Sequence, residues 1–165
     1  MKQDRRHRDD TLLTAMDDEK WMREALIEAR QAASLGEVPV GAVVVRAGEI
    51  VGRGHNRREI DGDPLAHAEI VAIRRAAKVV GNWRLTDCSL YVTLEPCPMC
   101  AGALVNSRVE RLVFGTRDPK AGYCGSLGNL VADARLNHRL EVAEGVLAEE
   151  CSQELRRFFG ELRQS

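Results

Sequence analysis

The 165-residue sequence contains no apolar run close to the about 20 residues that a membrane-spanning helix requires. A membrane association is therefore not expected. Its first residues, MKQDRRHRDDTLLTAM, lack the apolar stretch and small-residue cleavage site of a signal peptide, so a cytoplasmic location is expected. Charge imbalance is missing too. The formal net charge is −1, which excludes a global electrostatic pull on nucleic acid and leaves any RNA contact to local basic patches. There are no internal repeats and no low-complexity linker. Cysteine is present at five residues, an odd number with two in a Cys-x-x-Cys, which in a chain without a leader points to metal or redox chemistry and not to a disulfide framework. Hydrophobic residues at 44% and charged residues at 30% suffice for one globular core.

Residues 1–16 mix both signs of charge without periodicity and read as a poorly ordered tail, leaving residues 17–165 as a single domain. From Asp17, acids in a first turn and apolar residues at helical spacing (Trp21, Met22, Ala25, Leu26, Ala29, Ala32) predict a helix ended by Gly36. The β-branched run 38–46 and the segment 49–56, joined at Ala47-Gly48, predict a hairpin. Turn-rich sequence follows. Further elements are expected as a helix over 66–80, a strand over 89–94, a helix over 97–106 opened by Pro96, strands over 111–114 and 139–144, and a closing helix over 148–162. Alternating strands and helices predict an α/β sheet with helices on both faces.

Two short pieces carry the chemistry. One is His67-Ala68-Glu69; the other is Pro96-Cys97-Pro98-Met99-Cys100. Cys97 and Cys100, three apart at a helix start, project from one side. His67 begins its own helix, and the intervening helix, turn and strand can return the chain so that the two helix starts lie together. One imidazole and two thiolates match the ligand set of catalytic zinc, which keeps its fourth position open. A structural site would need a fourth protein ligand. The remaining candidates, Cys88, Cys124, Cys151, His55 and His138, lie at no Cys-x-x-Cys or His-x₃-His spacing from the first three. Two thiolates neutralise the metal charge, so a base is still needed, and Glu69 is placed to be that base. A lone Cys-x-x-Cys reads equally as a redox pair, but that leaves His67-x-Glu69 unexplained.

The combination H-x-E…P-C-x-x-C resembles the signature of zinc nucleobase deaminases. Beyond it, the stretches EVPVGA (37–42), DPLAHAEI (63–70), LYVTLEPCPMCAGA (90–103), RLVFGTRD (111–118), GSL (125–127), LNHR (136–139) and Phe158-Phe159 resemble the bacterial tRNA-specific adenosine deaminases from about Trp21 onward. That resemblance implies a three-layer α/β/α sandwich of the cytidine deaminase kind with a central mixed five-stranded sheet. It also implies a homodimer with one zinc per subunit. The implied substrate is a tRNA anticodon stem-loop, whose wobble adenosine is flipped into the zinc pocket and converted to inosine. It assigns Asn56 to the bound base and Asp118 to the RNA sugar-phosphate near it. Phe158 and Phe159 are read as aromatic candidates for stacking on a base, with Phe159 taken as the site residue.

Taken alone, Asn56 reads as a strand-end turn residue and Asp118 as a turn former before Pro119. Arg57, Arg58, Arg117, Lys120, Arg156 and Arg157 read singly as solvated surface charges. One of Phe158 and Phe159 is expected in the core, and Tyr123-Cys124 departs from the family pattern. The rival functions are deamination of a free nucleobase or nucleoside of the guanine or cytosine type, and a non-catalytic zinc-stabilised interaction module.

Overall fold

A computed structural model describes the backbone of residues 2–164 and the side chains of residues 14–164. The elements are α1 (Lys2–Ser34), β1 (Gly41–Arg46), β2 (Glu49–His55), α2 (Arg58–Asp61), α3 (Ala68–Val80), β3 (Cys88–Leu94), α4 (Pro98–Asn106), β4 (Arg111–Thr116), β5 (Glu141–Glu144) and α5 (Ala148–Gln164). The tail expected over residues 1–16 falls, up to residue 13, outside the residues whose side chains are described; the α1 backbone begins at Lys2, ahead of the opening read at Asp17.

The strands form one mixed five-stranded sheet in the order β2-β1-β3-β4-β5. Its layers follow from the period-two alternation of side chains. Val43, Val45, Tyr91 and Val113 face one side, packed on Met22, Ala25 and Leu26 of α1 and on Cys151 of α5. Ala42, Val44, Leu90, Val92, Leu112 and Phe114 face the other, packed on Ala68, Ala72 and Ala76 of α3 and on Ala101, Leu104 and Val105 of α4. This is the expected three-layer α/β/α arrangement. Full burial of a side chain such as Phe114 contributes roughly 1.5–3 kcal/mol.

Small residues let α3 sit close to the sheet. A Cβ on Gly52 would overlap the Ala72 carbonyl, and one on Gly54 would overlap the Ala68 carbonyl. On the opposite face α1 is tied down by Asp18, which accepts from Arg111 Nη1 and Nη2 at 2.6 and 2.8 Å and from the Tyr91 hydroxyl at 2.9 Å.

Topology then fixes where a site can form. β1 is antiparallel to both β2 and β3, so β2 and β3 run the same way; β3 is parallel to β4. The carboxyl ends of β2, β3 and β4 therefore share one edge, the usual place for a ligand crevice in an α/β sheet. Asn56 follows β2, Glu95 to Cys97 follow β3, and Arg117 and Asp118 follow β4.

Three boundaries differ from expectation for local reasons. β1 starts at Gly41, not at Val38, because Pro39 has no N–H for the ladder and Val40 N turns back to Val38 O at 2.9 Å. α4 starts at Pro98, so Pro98 and not Pro96 fills the first helical position. The turn-rich stretch after Asn56 contains the one-turn helix α2, held by the buried Glu37, whose Oε1 accepts from Ile60 N at 2.7 Å.

Candidate active site

His67 is the N-cap of α3 and Cys97 the N-cap of α4, and neither makes a side-chain capping bond. Both cap positions are given to donor atoms facing a common point. His67 Nδ1 lies 3.6 Å from Cys97 Sγ and 3.5 Å from Cys100 Sγ. Among the described residues these three make the group able to hold a metal ion, with donor atoms within 4.8 Å of one another. The two helix N-termini direct their positive ends at the sulfurs, which favours thiolate. Cys100 donates to Cys97, and this bond, with the His67 ring beside it, pushes the Cys97 thiol down to about 4 against the effect of burial. The same bond and burial push Cys100 up. His67 is raised by its hydrogen bond to Cys97.

The other candidate ligands are engaged or buried elsewhere. His55 Nδ1 is 3.0 Å from Glu28 Oε2, and His138 Nε2 is 2.6 Å from the Val109 carbonyl. Cys88, Cys124 and Cys151 are buried, and burial pushes the thiols of Cys124 and Cys151 up to about 12.

A cavity of about 180 Å³ opens onto this group, with walls that include Val38, Val40, Asn56, Arg58, His67, Glu69, Leu94, Glu95, Cys97, Asp118 and Ala121. Glu69, in the first turn of α3, is 4% exposed, and burial raises its carboxyl above the usual range. Asn56 is fixed at both ends of its amide. Its Nδ2 donates to Val38 O at 3.3 Å and its Oδ1 accepts from Arg58 N at 3.2 Å. Asp118 Oδ1 accepts from Lys120 N at 3.0 Å and Ala121 N at 3.2 Å, so it forms a turn and lines the cavity at once.

Phe159 is not brought to this place. It lies on α5, 44% exposed and edge-on to Phe158 at 5.4 Å, outside the cavity wall. Between α1 and α5 the helix face is anchored instead by the buried Glu154, which accepts from Arg30 at 2.8 Å.

Sequence reasoning gave Glu95 no role. It is 2% exposed, lines the cavity, and accepts from Asp118 N at 3.1 Å, Cys124 N at 3.1 Å, Ser126 N at 3.0 Å and the Ser126 hydroxyl. Burial pushes its carboxyl up, but these bonds together outweigh burial and hold it below the usual range. The signal available in the sequence was its place two residues before Cys97.

The MafB19-like deaminase family matches residues 16–163. The tRNA-specific adenosine deaminase of Bacillus subtilis (strain 168) is 56% identical over 146 residues, covering 88% of this chain and 91% of that protein. That of Haemophilus influenzae is 55% identical over 148 residues, covering 89% and 86%. Among solved structures, one from a study of A-to-I editing by tRNA:A34 deaminases at the wobble position has a TM-score of 0.80 at 41% identity, covering 82% of this chain and 99% of that one. A guanine deaminase from Nitrosomonas europaea has a TM-score of 0.75 at 26% identity, covering 86% and 84%. The chain belongs to the MafB19-like deaminase family, alongside the tRNA-specific adenosine deaminases.

Proposed function

We propose that this chain converts the wobble adenosine of a tRNA anticodon to inosine by zinc-dependent hydrolysis, releasing ammonia. The observation that carries the reading is the convergence of three donor atoms, a buried carboxyl and a fixed amide on one cavity at the carboxyl ends of β2, β3 and β4. Identity of 56% to a tRNA-specific adenosine deaminase supports the substrate over a free base.

The donor set fits zinc. A tetrahedral zinc with ordinary Zn–N and Zn–S bonds would hold nitrogen and sulfur about 3.6 Å apart, and the separations here are 3.6 and 3.5 Å. His67, Cys97 and Cys100 would hold one ion per subunit. Bound there, zinc supplies the Lewis acidity that makes water a competent nucleophile at neutral pH.

The chain's own residues do the rest. Asn56, pinned by Val38 O and Arg58 N, presents its remaining donor and acceptor capacity to a purine edge. Glu69 takes a proton from the attacking water, delivers it to a ring nitrogen, and then assists the departure of the exocyclic amine as ammonia. A buried carboxyl with a raised proton affinity suits both directions of that transfer. Val38, Val40 and Leu94 exclude bulk water from the base. Asp118 stands at the mouth, where its turn leaves Oδ2 for a sugar hydroxyl. A cytoplasmic homodimer is part of the same reading. No helix among the described residues is long and apolar enough to cross a membrane.

Glu69→Ala tests this against a non-catalytic zinc module. Metal analysis is expected to show zinc retained while inosine formation falls by roughly 10²–10⁴-fold. Undiminished activity in that variant would remove the catalytic reading.

A further inference from the structure

We propose that Glu95 is a positioning residue that locks the loop of residues 117–126 to the metal ligand Cys97 and so sets the mouth of the pocket for RNA. The proposal rests on the function proposed above. Its basis is a buried carboxylate with no ion-pair partner among the described residues and both oxygens filled from one loop. Oε1 accepts from Asp118 N and the Ser126 hydroxyl; Oε2 accepts from Cys124 N and Ser126 N. A carboxylate in an apolar interior is tolerated only when its acceptor sites are occupied, so the loop and the charge require one another.

The link to the metal ligand is short and stiff. Glu95 N donates to Thr116 O at 2.9 Å, and Tyr123 N donates to the carbonyl of Pro96 at 2.8 Å. Pro96, with its fixed φ, joins these anchors to Cys97. Gly122 packs flat on the Glu95 carboxylate, and a Cβ there would overlap Cδ and both oxygens. Loop, carboxylate and ligand therefore move as one unit. Asp118 and Ala121, which line the cavity, are placed relative to the metal. Glu95 carries no proton in this scheme, because both its oxygens are already occupied.

The test is steady-state kinetics on an anticodon stem-loop with a wobble adenosine, using the zinc-loaded protein and its Glu95→Gln, Ser126→Ala and Gly122→Ala variants. The kinetics are run below the unfolding range of each variant, with metal content and thermal midpoint measured alongside. Glu95→Gln keeps the shape but leaves one oxygen where two were needed. It is expected to raise KM about tenfold or more, with a much smaller change in kcat and full zinc content. Ser126→Ala and Gly122→Ala are expected to shift KM in the same direction, Ser126→Ala less. Zinc loss, or a fall in kcat at unchanged KM, would overturn the proposal. If Glu95→Gln does not fold, the other two variants decide: a raised KM supports the clamp and a wild-type KM refutes it. Should the wild-type protein fail to turn over the stem-loop, the functional reading fails separately. Amide exchange at residues 118, 124 and 126 then still judges the clamp: faster exchange in Ser126→Ala supports it and unchanged exchange overturns it.

Discussion

Asn56 carries its weight through geometry held by its neighbours. Its amide cannot rotate without breaking a bond to Val38 O or Arg58 N. Asn56→Ala is expected to lower kcat/KM on RNA by about 10–100-fold with zinc retained, measured as inosine formed per time on a stem-loop. The thiols make a second residue-scale prediction. Cys88, Cys124 and Cys151 are buried, whereas Cys97 is half-buried and its thiol is pushed down to about 4. After metal removal by a chelator, alkylation at neutral pH is expected to label Cys97 first, read by peptide mass; prior labelling of Cys124 or Cys151 would contradict the assignment. His67, Glu69, Cys97 and Cys100 were legible in the sequence because helix-start spacing fixes their directions. Glu95 was not, because its partners lie 23, 29 and 31 residues away and are mostly backbone amides, which leave no mark on composition.

At the scale of elements, the site depends on how closely α3 rides on β2. Gly54 faces Ala68 O and has Ala72 N at 2.6 Å from where a Cβ would stand. Gly54→Ala is expected to destabilise the fold by about 1–3 kcal/mol in denaturant unfolding, and to reduce activity as well, because it displaces the helix start that carries His67 and Glu69. Loss of stability with unchanged activity would separate the two. Periodicity gave the strands and long helices nearly to their ends, since alternation and helical spacing are local. It placed the start of β1 too early at Val38, where Pro39 interrupts the ladder, and passed over α2, a four-residue helix held in part by the distant Glu37, which accepts from Ile60 N. On α5 one of Phe158 and Phe159 was expected in the core, but Phe159 is 44% exposed and the buried positions go to Cys151 and Glu154, the latter a charge that Arg30 of α1 neutralises.

Over the whole molecule, a net charge of −1 means that RNA must be held by few cations. Arg57, Arg117, Arg156 and Arg157 are engaged by Asp61, Glu144, Glu149 and Glu154. Arg58, on the cavity wall, and Lys120, in the loop that carries Asp118 and Ala121, have no side-chain ion pair among the described residues. Replacing both with Ala is expected to weaken stem-loop binding and to lower the slope of log K against log salt by about one per residue, measured by titration at several salt concentrations. Helices on both faces of the sheet followed from the alternation of elements, and the edge that hosts the site follows from the strand directions; the substrate came from resemblance, because the metal chemistry is shared with enzymes acting on free bases. The most direct measurement is product analysis on an anticodon stem-loop bearing adenosine at the wobble position, beside the same loop with cytidine there and beside free guanine and cytidine. The account predicts inosine from the adenosine loop and no turnover of the other three. Deamination of free guanine or cytidine, with none on the adenosine loop, would contradict it.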